Sequence, residues 1–253
     1  MSGDHEIVCS RIVFPDTEFD AKKGRGEIPG FPLCICAIEI DEEGHIIKHR
    51  LKAPYPKRMP WDRGTPFLTV GYALGAEAGS FMHTGSAFPS PAIDLYAEYM
   101  VLHNSEMVQV GDDGSKRPGP TLIQACRRYG VVLTMDEAYK EKMRALAYSK
   151  SEHTPEEIAD LQDYCLNDDC DATMKLFFAM LPYLDLLRAP IRGAFMMEIE
   201  RIRWRGKPID MPLIDWRSSV LPRSSRECAR SSITSSVPRF TTPACSNGAL
   251  CCD

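Results

Sequence analysis

Three strand-like segments near the start of the chain place the strongest constraint on its fold. Ile7–Phe14, Leu33–Ile40 and His45–Leu51 are rich in β-branched and other apolar residues. A connection rich in glycine and proline separates the first two segments, and a short DEEG turn separates the second from the third. This arrangement predicts a β-meander at the start of the fold.

Helical patterns and one further short strand follow the meander. Pro66–Phe81 has the pattern of a helix, and Ser90–Asp94 predicts a short buried strand that runs directly into a helix from Leu95. The clearest helix begins at Thr154, where TPEE supplies an N-cap, a proline at the first helical position and Glu157 for a capping box. We expect this helix to break or bend at the acid-rich NDDCD segment. The whole pattern predicts a mixed α and β fold.

Charge and hydropathy narrow the class of protein. The net charge of −5 does not suggest broad electrostatic binding to nucleic acid, although groups of lysine and arginine could form local basic patches. No apolar run approaches the length of a membrane span, and the N-terminus lacks a basic and apolar leader. These features predict a cytoplasmic protein that does not engage a membrane.

The cysteines are predicted to be reduced thiols. The ten cysteines include no CxxC pair, and a disulfide framework is not expected without a secretory leader. Cys34 and Cys36 lie two apart in a predicted strand and therefore share one face. No other thiol or histidine pair is near them in sequence, so we interpret them as buried core thiols rather than metal ligands.

The chain changes character after Trp216. The last 37 residues contain nine serines and four of the ten cysteines, with no sustained periodicity. This composition predicts disorder. A change of reading frame in the gene is a second hypothesis for the same segment, and an intact continuation in another frame of the DNA would support it.

Acidic residues follow two predicted strands and lie on one predicted helix. Asp16 and Glu18 end the first strand and project from one face, where paired carboxylates repel each other unless a cation lies between them. Asp94 ends the SPAID strand. Asp168 lies on the core-facing stripe of a continuous helix, with Tyr164 one turn earlier. Oxygen-rich sets of this kind suit magnesium or manganese, while a surface turn, a helix cap and a structural hydrogen bond are the alternative interpretations.

These residues, in this order, resemble the DEDD superfamily of 3′–5′ exonucleases, as found in the proofreading domain of family A DNA polymerases. DTE corresponds to the first motif, SPAID to the second and YCLND to the YxxxD motif of the tyrosine subclass. The resemblance implies a ribonuclease H-like α/β fold, in which helices flank a mixed five-stranded sheet with the first strand central and the second antiparallel to it. It also implies that two divalent ions, Mg²⁺ or Mn²⁺, are held by Asp16, Glu18, Asp94 and Asp168. Tyr164 would position the attacking water.

A second segment, Ala189–Asp210, resembles the connection between this exonuclease domain and the polymerase module of bacterial and phage DNA polymerase I-like proteins. The two resemblances imply an exonuclease domain over residues 1–188, the start of a linker over 189–216 and a disordered or frame-shifted tail over 217–253. They imply an enzyme that removes nucleoside 5′-monophosphates from single-stranded or frayed DNA 3′ ends. A ribonuclease D-like enzyme acting on RNA and an inactive, DNA-binding polymerase remnant are the alternatives. Pro15 departs from the pattern, because proline cannot donate a hydrogen bond within a central strand, and we expect a bulge or an early strand end there.

Overall fold

The structure, a computed structural model, describes residues 9–20, 30–87, 91–103, 120–149 and 152–206. The strands in this part of the chain are β1 (Ile12–Phe19), β2 (Pro32–Ile40), β3 (Ile46–Leu51), β4 (Leu68–Gly71) and β5 (Ala92–Asp94). The α-helices are α1 (Gly75–Thr84), α2 (Leu95–Leu102), α3 (Leu122–Arg128), α4 (Glu137–Ser149), α5 (Pro155–Tyr164), α6 (Asp171–Met180) and α7 (Ala189–Arg205). A π-helix, Cys165–Cys170, joins α5 to α6, and a 3₁₀ turn, Leu181–Tyr183, follows α6.

The five strands form one mixed sheet in the order β3-β2-β1-β4-β5, which places β1 at its centre. β2 is antiparallel to β1 and to β3, whereas β4 is parallel to β1 and to β5. Helices flank this sheet. The predicted ribonuclease H-like α/β fold, with a central first strand and an antiparallel second strand, is confirmed.

The bulge or early strand end expected at Pro15 does not occur, because β1 continues through this residue and its register shifts only between Glu18 and Phe19. β1 pairs with β4 at Ile12 and Val13, whereas its pairing with β2 continues to Phe19. Pro15 lies opposite Ala37 of β2 and is buried. Among the described residues, β4 pairs with β1 no further than Val13, so Pro15 removes no donor from that ladder.

The segment Pro66–Phe81, predicted as a single helix, is a strand followed by a helix. Leu68–Gly71 forms β4, and α1 begins only at Gly75. A short apolar run such as FLTV cannot be assigned by periodicity alone, and pairing with β1 and β5 makes it a strand. The predicted strand at SPAID is confirmed as β5, and α2 follows it at Leu95 as expected.

Alternating side chains of β1 contribute to a hydrophobic core on each face of the sheet. Phe14 packs in the larger core with residues of α3, α4, α5 and α6. Val13 packs on the opposite face with Phe81 of α1, and Ser80 Oγ of the same helix donates to Thr17 Oγ1 at 3.1 Å. Because successive residues point to opposite faces, the two acids of β1 share the face of Phe14.

α5 begins as its sequence predicts and ends in a different kind of helix. Glu157 N–H donates to Thr154 Oγ1 at 3.3 Å, and Thr154 N–H donates to Glu157 Oε2 at 2.8 Å, which completes the capping box. The break predicted at NDDCD is the π-helix Cys165–Cys170. A π-helical turn closes between residues five apart rather than four, so it changes which side chains face the sheet.

α7 packs against the edge of the sheet. Gly193 lies so close to β5 that a Cβ at this position would be 2.0 Å from the Ala92 carbonyl oxygen. Arg192 donates to the buried Glu98 carboxylate of α2 at 2.6 and 2.5 Å. The first part of the predicted linker is therefore docked on the same compact unit as the sheet, and the boundary after residue 188 stays a prediction.

Several sequence predictions concern residues outside the described ranges. These are the tail from residue 217, the rest of the predicted linker and most of the glycine- and proline-rich connection before β2. The described cysteines are free thiols. In the part of the chain that the structure describes, no helix combines the length and the hydropathy needed to cross a membrane.

Candidate metal centre

Three carboxylates meet near the C-terminal end of the central strand. Asp16 and Glu18 project from β1, and Asp169 projects from the π-helix, with one oxygen of each lying within 4.8 Å of the other two. Asp16 and Glu18 are half-buried, and Asp169 is 6% exposed. We call these three residues the carboxylate cluster. Carboxylate oxygens at this spacing can bind a shared cation.

The π-helix decides which aspartate joins the carboxylate cluster. The sequence prediction placed Asp168 on the core-facing stripe because it assumed one continuous α-helix. In the π-helical turn Asp169, five residues after Tyr164, faces the sheet instead. Asp168 is half-buried and accepts a hydrogen bond from Thr134 Oγ1 at 2.8 Å. The structure therefore does not bring Asp168 into the cluster, and a metal-binding role for it stays a prediction.

Asp94 is held by backbone N–H groups of two helices. It is fully buried, and as the N-cap of α2 its Oδ1 accepts from Tyr96 at 2.9 Å and from Ala97 at 3.3 Å. Its oxygens also accept from Ala73 at 3.0 Å and Leu74 at 3.1 Å, at the start of α1. Burial raises the pKa of Asp94, although these four hydrogen bonds lower it. Asp94 thus links the starts of α1 and α2 to the end of β5 by hydrogen bonds. Its role as a metal ligand stays a prediction.

Glu77 is a buried acid that sequence reasoning missed. It lies in the first turn of α1, is 3% exposed, and its Oε2 has no hydrogen-bond partner among the described residues. Burial raises the pKa of Glu77 well above its ordinary value, and repulsion from Asp16, and then from Asp94 and Asp169, adds to the rise. The sequence does contain a signal for Glu77, because an acid follows an apolar strand within a few residues. This signal was missed because the strand was interpreted as part of a helix. A buried oxygen without a partner costs free energy unless the group is protonated or meets a cation.

A lysine supplies positive charge to the carboxylate cluster. Lys140 of α4 places its Nζ 2.6 Å from Asp169 Oδ1, and its side chain is 18% exposed. Burial lowers the pKa of Lys140, but attraction to Asp169, and then to Asp16 and Glu18, raises it overall. No specific signal marks this residue in the sequence, because it lies among the ordinary surface charges of EAYKEKMR. When all three carboxylates are ionised, the single ammonium leaves an excess of negative charge.

The surroundings of the two β1 acids oppose their ionisation. Burial raises the pKa of Asp16 to about 8, with a further contribution from Asp169. The hydrogen bond that Cys165 Sγ donates to Asp16 Oδ2 at 3.1 Å, and the charge of Lys140, act in the opposite direction. Burial also raises the pKa of Glu18 well above its ordinary value, with repulsion from Asp16 and Asp169. A bound divalent cation would lower both pKa values because it stabilises the ionised forms.

Tyr164 lies beside the carboxylate cluster and is 2% exposed. Burial raises the pKa of its phenol, followed by repulsion from Asp169 and Glu18 and by a hydrogen bond with the Asp169 carboxylate. Its ring makes an edge contact with Tyr139 at a centroid distance of 5.7 Å, and Lys140 Nζ lies 6.0 Å from its centroid. The phenol is therefore neutral at ordinary pH and can donate a single hydrogen bond.

Comparison with known proteins gives distant structural similarities only. No protein-family model and no curated protein matches the chain. A solved structure described as the apo form of the nuclease has a TM-score of 0.45 and 11% sequence identity, covering 80% of this chain and 89% of its own. E. coli exonuclease I in complex with a dA16 oligonucleotide has a TM-score of 0.28 and 13% identity, covering 70% of this chain and 46% of its own. At these values neither similarity assigns a function to this chain.

Proposed function

We propose that this protein is a metal-dependent nuclease that removes nucleoside 5′-monophosphates from DNA 3′ ends. The observation that carries the proposal is the carboxylate cluster, in which Asp16, Glu18 and Asp169 lie within 4.8 Å of one another with Tyr164 beside them. A purely structural group of buried acids is expected to be neutralised by partner cations. Here the Lys140 ammonium is the cation that the described structure places in contact with the cluster.

The donor set fits magnesium or manganese, because all of the side chains offer carboxylate oxygen. We propose Glu77 as a fourth carboxylate, since its buried Oε2 has no hydrogen-bond partner among the described residues and its charge is repelled by that of Asp16. Asp94 and Asp168 are the other candidates. Asp94 already accepts four backbone hydrogen bonds, which leaves its oxygens less free to bind an ion. Asp168 accepts one hydrogen bond, from Thr134, and lies outside the carboxylate cluster. When bound, two divalent ions would supply a water of lowered pKa and stabilise charge on the departing 3′ oxygen.

The chain's own residues orient the reacting groups. Because its pKa is raised, Tyr164 stays protonated and cannot act as a strong base. Its proton is donated to Asp169, so its oxygen can hold the attacking water by accepting a hydrogen bond from it. Asp169 is held by both Tyr164 and Lys140, so its position is fixed from two sides. The ammonium also offsets part of the negative charge that an incoming phosphate would meet.

Release of mononucleotides tests the proposal directly. The full chain is incubated with 3′-labelled single-stranded DNA and Mg²⁺ or Mn²⁺, and nucleoside 5′-monophosphates are the expected product. Asp169→Asn should abolish their release. Asp171→Asn is the matched control, because Asp171 is two residues away but pairs with Lys175 at 2.6 Å outside the carboxylate cluster. Equal activity of the two variants would contradict the assignment of Asp169.

Asp168→Asn tests whether the functional aspartate is the one selected by the observed geometry or the one selected by the YxxxD spacing. If the π-helix determines the site, this variant keeps most of its activity, because Asp168 lies outside the cluster and an amide oxygen can still accept from Thr134 Oγ1. If the YxxxD spacing sets the site, Asp168→Asn is inactive and Asp169→Asn is active. The pair of variants therefore decides which aspartate completes the cluster.

Glu77→Gln and Asp94→Asn separate a metal ligand from a structural acid. Glu77→Gln should lose activity while its thermal unfolding midpoint stays equal or rises, because it removes a buried acid that is held protonated in the folded chain and ionises on unfolding. Asp94→Asn should instead lose stability, because its single amide oxygen must replace a carboxylate that accepts four backbone hydrogen bonds. An active Glu77→Gln variant would remove Glu77 from the proposed site.

The substrate comparison decides among the remaining alternatives. RNA degraded in preference to DNA of the same sequence would identify a ribonuclease D-like enzyme. Binding to DNA without degradation of either substrate, with either ion present, would identify an inactive polymerase remnant.

A further inference from the structure

Three thiols from two separate elements meet next to the carboxylate cluster. Cys34 and Cys36 project from β2, and Cys165 is the first residue of the π-helix. Their sulfur atoms lie within 4.8 Å of one another, and each residue is 0% exposed. The interpretation of Cys34 and Cys36 as core thiols depended on the lack of a nearby third ligand, and the fold supplies that ligand from far along the chain.

We propose that Cys34, Cys36 and Cys165 form a binding site for one thiophilic divalent cation of the zinc type. We call these residues the thiol triad. A zinc–thiolate bond is about 2.3 Å long, so the sulfurs of a tetrahedral site lie about 3.8 Å apart. Starting from separations of at most 4.8 Å, the triad reaches this geometry when its sulfurs move by about 1 Å or less. Two of the ligands lie on one face of β2 and the third lies on the π-helix that packs against it, so metal binding requires no change of fold.

The class of cation follows from ligand chemistry and charge. Thiolate sulfur binds soft cations, whereas magnesium and calcium require oxygen, so the two neighbouring sites select different ions. Loading releases the three thiol protons, and a divalent ion that replaces them changes the local charge by only −1. A monovalent copper ion would change it by −2, which is costly in an interior that already holds Asp16, Glu18 and Asp169. The divalent ion is therefore favoured.

The existing contacts of the thiol triad are compatible with loading. Cys165 Sγ donates to Asp16 Oδ2 at 3.1 Å, and Cys36 Sγ donates to the Gln162 carbonyl oxygen at 3.5 Å. Thiols are weak donors, so losing these two hydrogen bonds costs little. Once Cys165 has lost its proton, Asp16 Oδ2 is an oxygen close to the triad that can take the fourth position of a tetrahedral site.

Binding of Cd²⁺, a spectroscopic substitute for zinc, tests the thiol triad without any use of nuclease activity. All samples are the full chain with Cys→Ser at positions 9, 228, 245, 251 and 252, and excess Mg²⁺ occupies oxygen sites. We expect one Cd²⁺ per chain by native mass spectrometry, with ultraviolet sulfur-to-cadmium charge-transfer absorption. Cys36→Ser and Cys165→Ser should each weaken binding at least tenfold. Cys126→Ser, which removes a buried thiol outside the triad, should leave it unchanged.

A measurement on the unaltered triad covers the case in which a core variant fails to fold. X-ray absorption of the zinc-loaded chain should count three sulfur ligands. Fewer than three sulfurs, an absence of bound Cd²⁺, or affinity unchanged in a folded Cys165→Ser variant would each overturn the site and leave ordinary packed thiols. Because metal content is the readout, these results are independent of whether DNA is degraded.

Discussion

Replacing Asp16 by asparagine should stabilise the metal-free protein at alkaline pH. Burial raises the pKa of Asp16 from an ordinary 3.8 to about 8, so the folded chain keeps this proton over a range in which the unfolded chain has released it. The unfolded state therefore binds fewer protons between about pH 4 and pH 8, and the free energy of unfolding falls as the pH rises through this window. Asparagine is neutral in both states and removes this dependence.

The size of the effect follows from the two pKa values. One pKa unit corresponds to about 1.4 kcal/mol, so the difference between 3.8 and about 8 sets an upper limit of about 6 kcal/mol at pH 8. The side chain is half-buried, and solvent contact reduces this limit, so we expect a gain of about 1–3 kcal/mol. At pH 4.5 the gain should shrink to a few tenths of this value, because the pH is then less than one unit above the ordinary pKa of 3.8 and little of the window has been crossed.

Urea unfolding in the presence of EDTA, at pH 4.5 and pH 8, measures this difference. Asp160→Asn is the control, because Asp160 is exposed on α5 and should change the free energy of unfolding little at either pH. Added Mg²⁺ should stabilise the wild-type chain and should stabilise Asp16→Asn much less. A gain of the same size at both pH values, or a loss at pH 8, would refute the argument from buried carboxylate repulsion.

Three further substitutions test other parts of the structure. Tyr164→Phe should lower kcat by about 10- to 100-fold while leaving the Mg²⁺ concentration for half-maximal rate within about twofold, and an unchanged kcat would exclude the phenol from the reaction. Glu39→Ala should lower the free energy of unfolding by about 3–5 kcal/mol, because the fully buried Arg11 loses the Glu39 carboxylate at 2.8 Å. A loss of less than about 1 kcal/mol, measured by urea unfolding, would contradict this expectation. Gly193→Ala should lower the thermal unfolding midpoint, because the new Cβ would lie 2.0 Å from the Ala92 carbonyl oxygen. Relieving this clash should cost about 1–3 kcal/mol of stability. An unchanged midpoint would mean that α7 does not pack against β5 as described.

Elements with strong local signals were predicted from the sequence. The strand-to-helix junction at Asp94 and the capping box at Thr154 are each encoded within a few neighbouring residues. The strand patterns of β1 and β2 are also local, and their antiparallel pairing was expected from the meander and from the family resemblance. β4 was missed because a run of four residues fits a strand and a helix equally well, and only its partners in the sheet decide between them.

The composition of the candidate site was predicted only in part, because two of its features depend on long-range structure. The structure places Asp16 and Glu18 together with Tyr164 beside them, and their role as site residues stays a prediction. The meeting with Asp169 rather than Asp168 depends on a π-helical turn that no periodicity in the sequence signals. The meeting of Cys165 with the two thiols of β2 likewise exists only once the π-helix packs on the sheet. Contacts between distant segments have no local sequence pattern.

The π-helix has a consequence for how related chains would be compared. A turn that holds five residues instead of four absorbs one inserted residue without moving the helices on either side of it. Deleting one residue from this turn would let the helix wind regularly and would keep the same tyrosine and aspartate in contact at the shorter interval. A tyrosine and an aspartate can therefore stay in contact while the number of residues between them changes. A sequence alignment that requires a fixed interval would pair the tyrosine with the neighbouring aspartate instead.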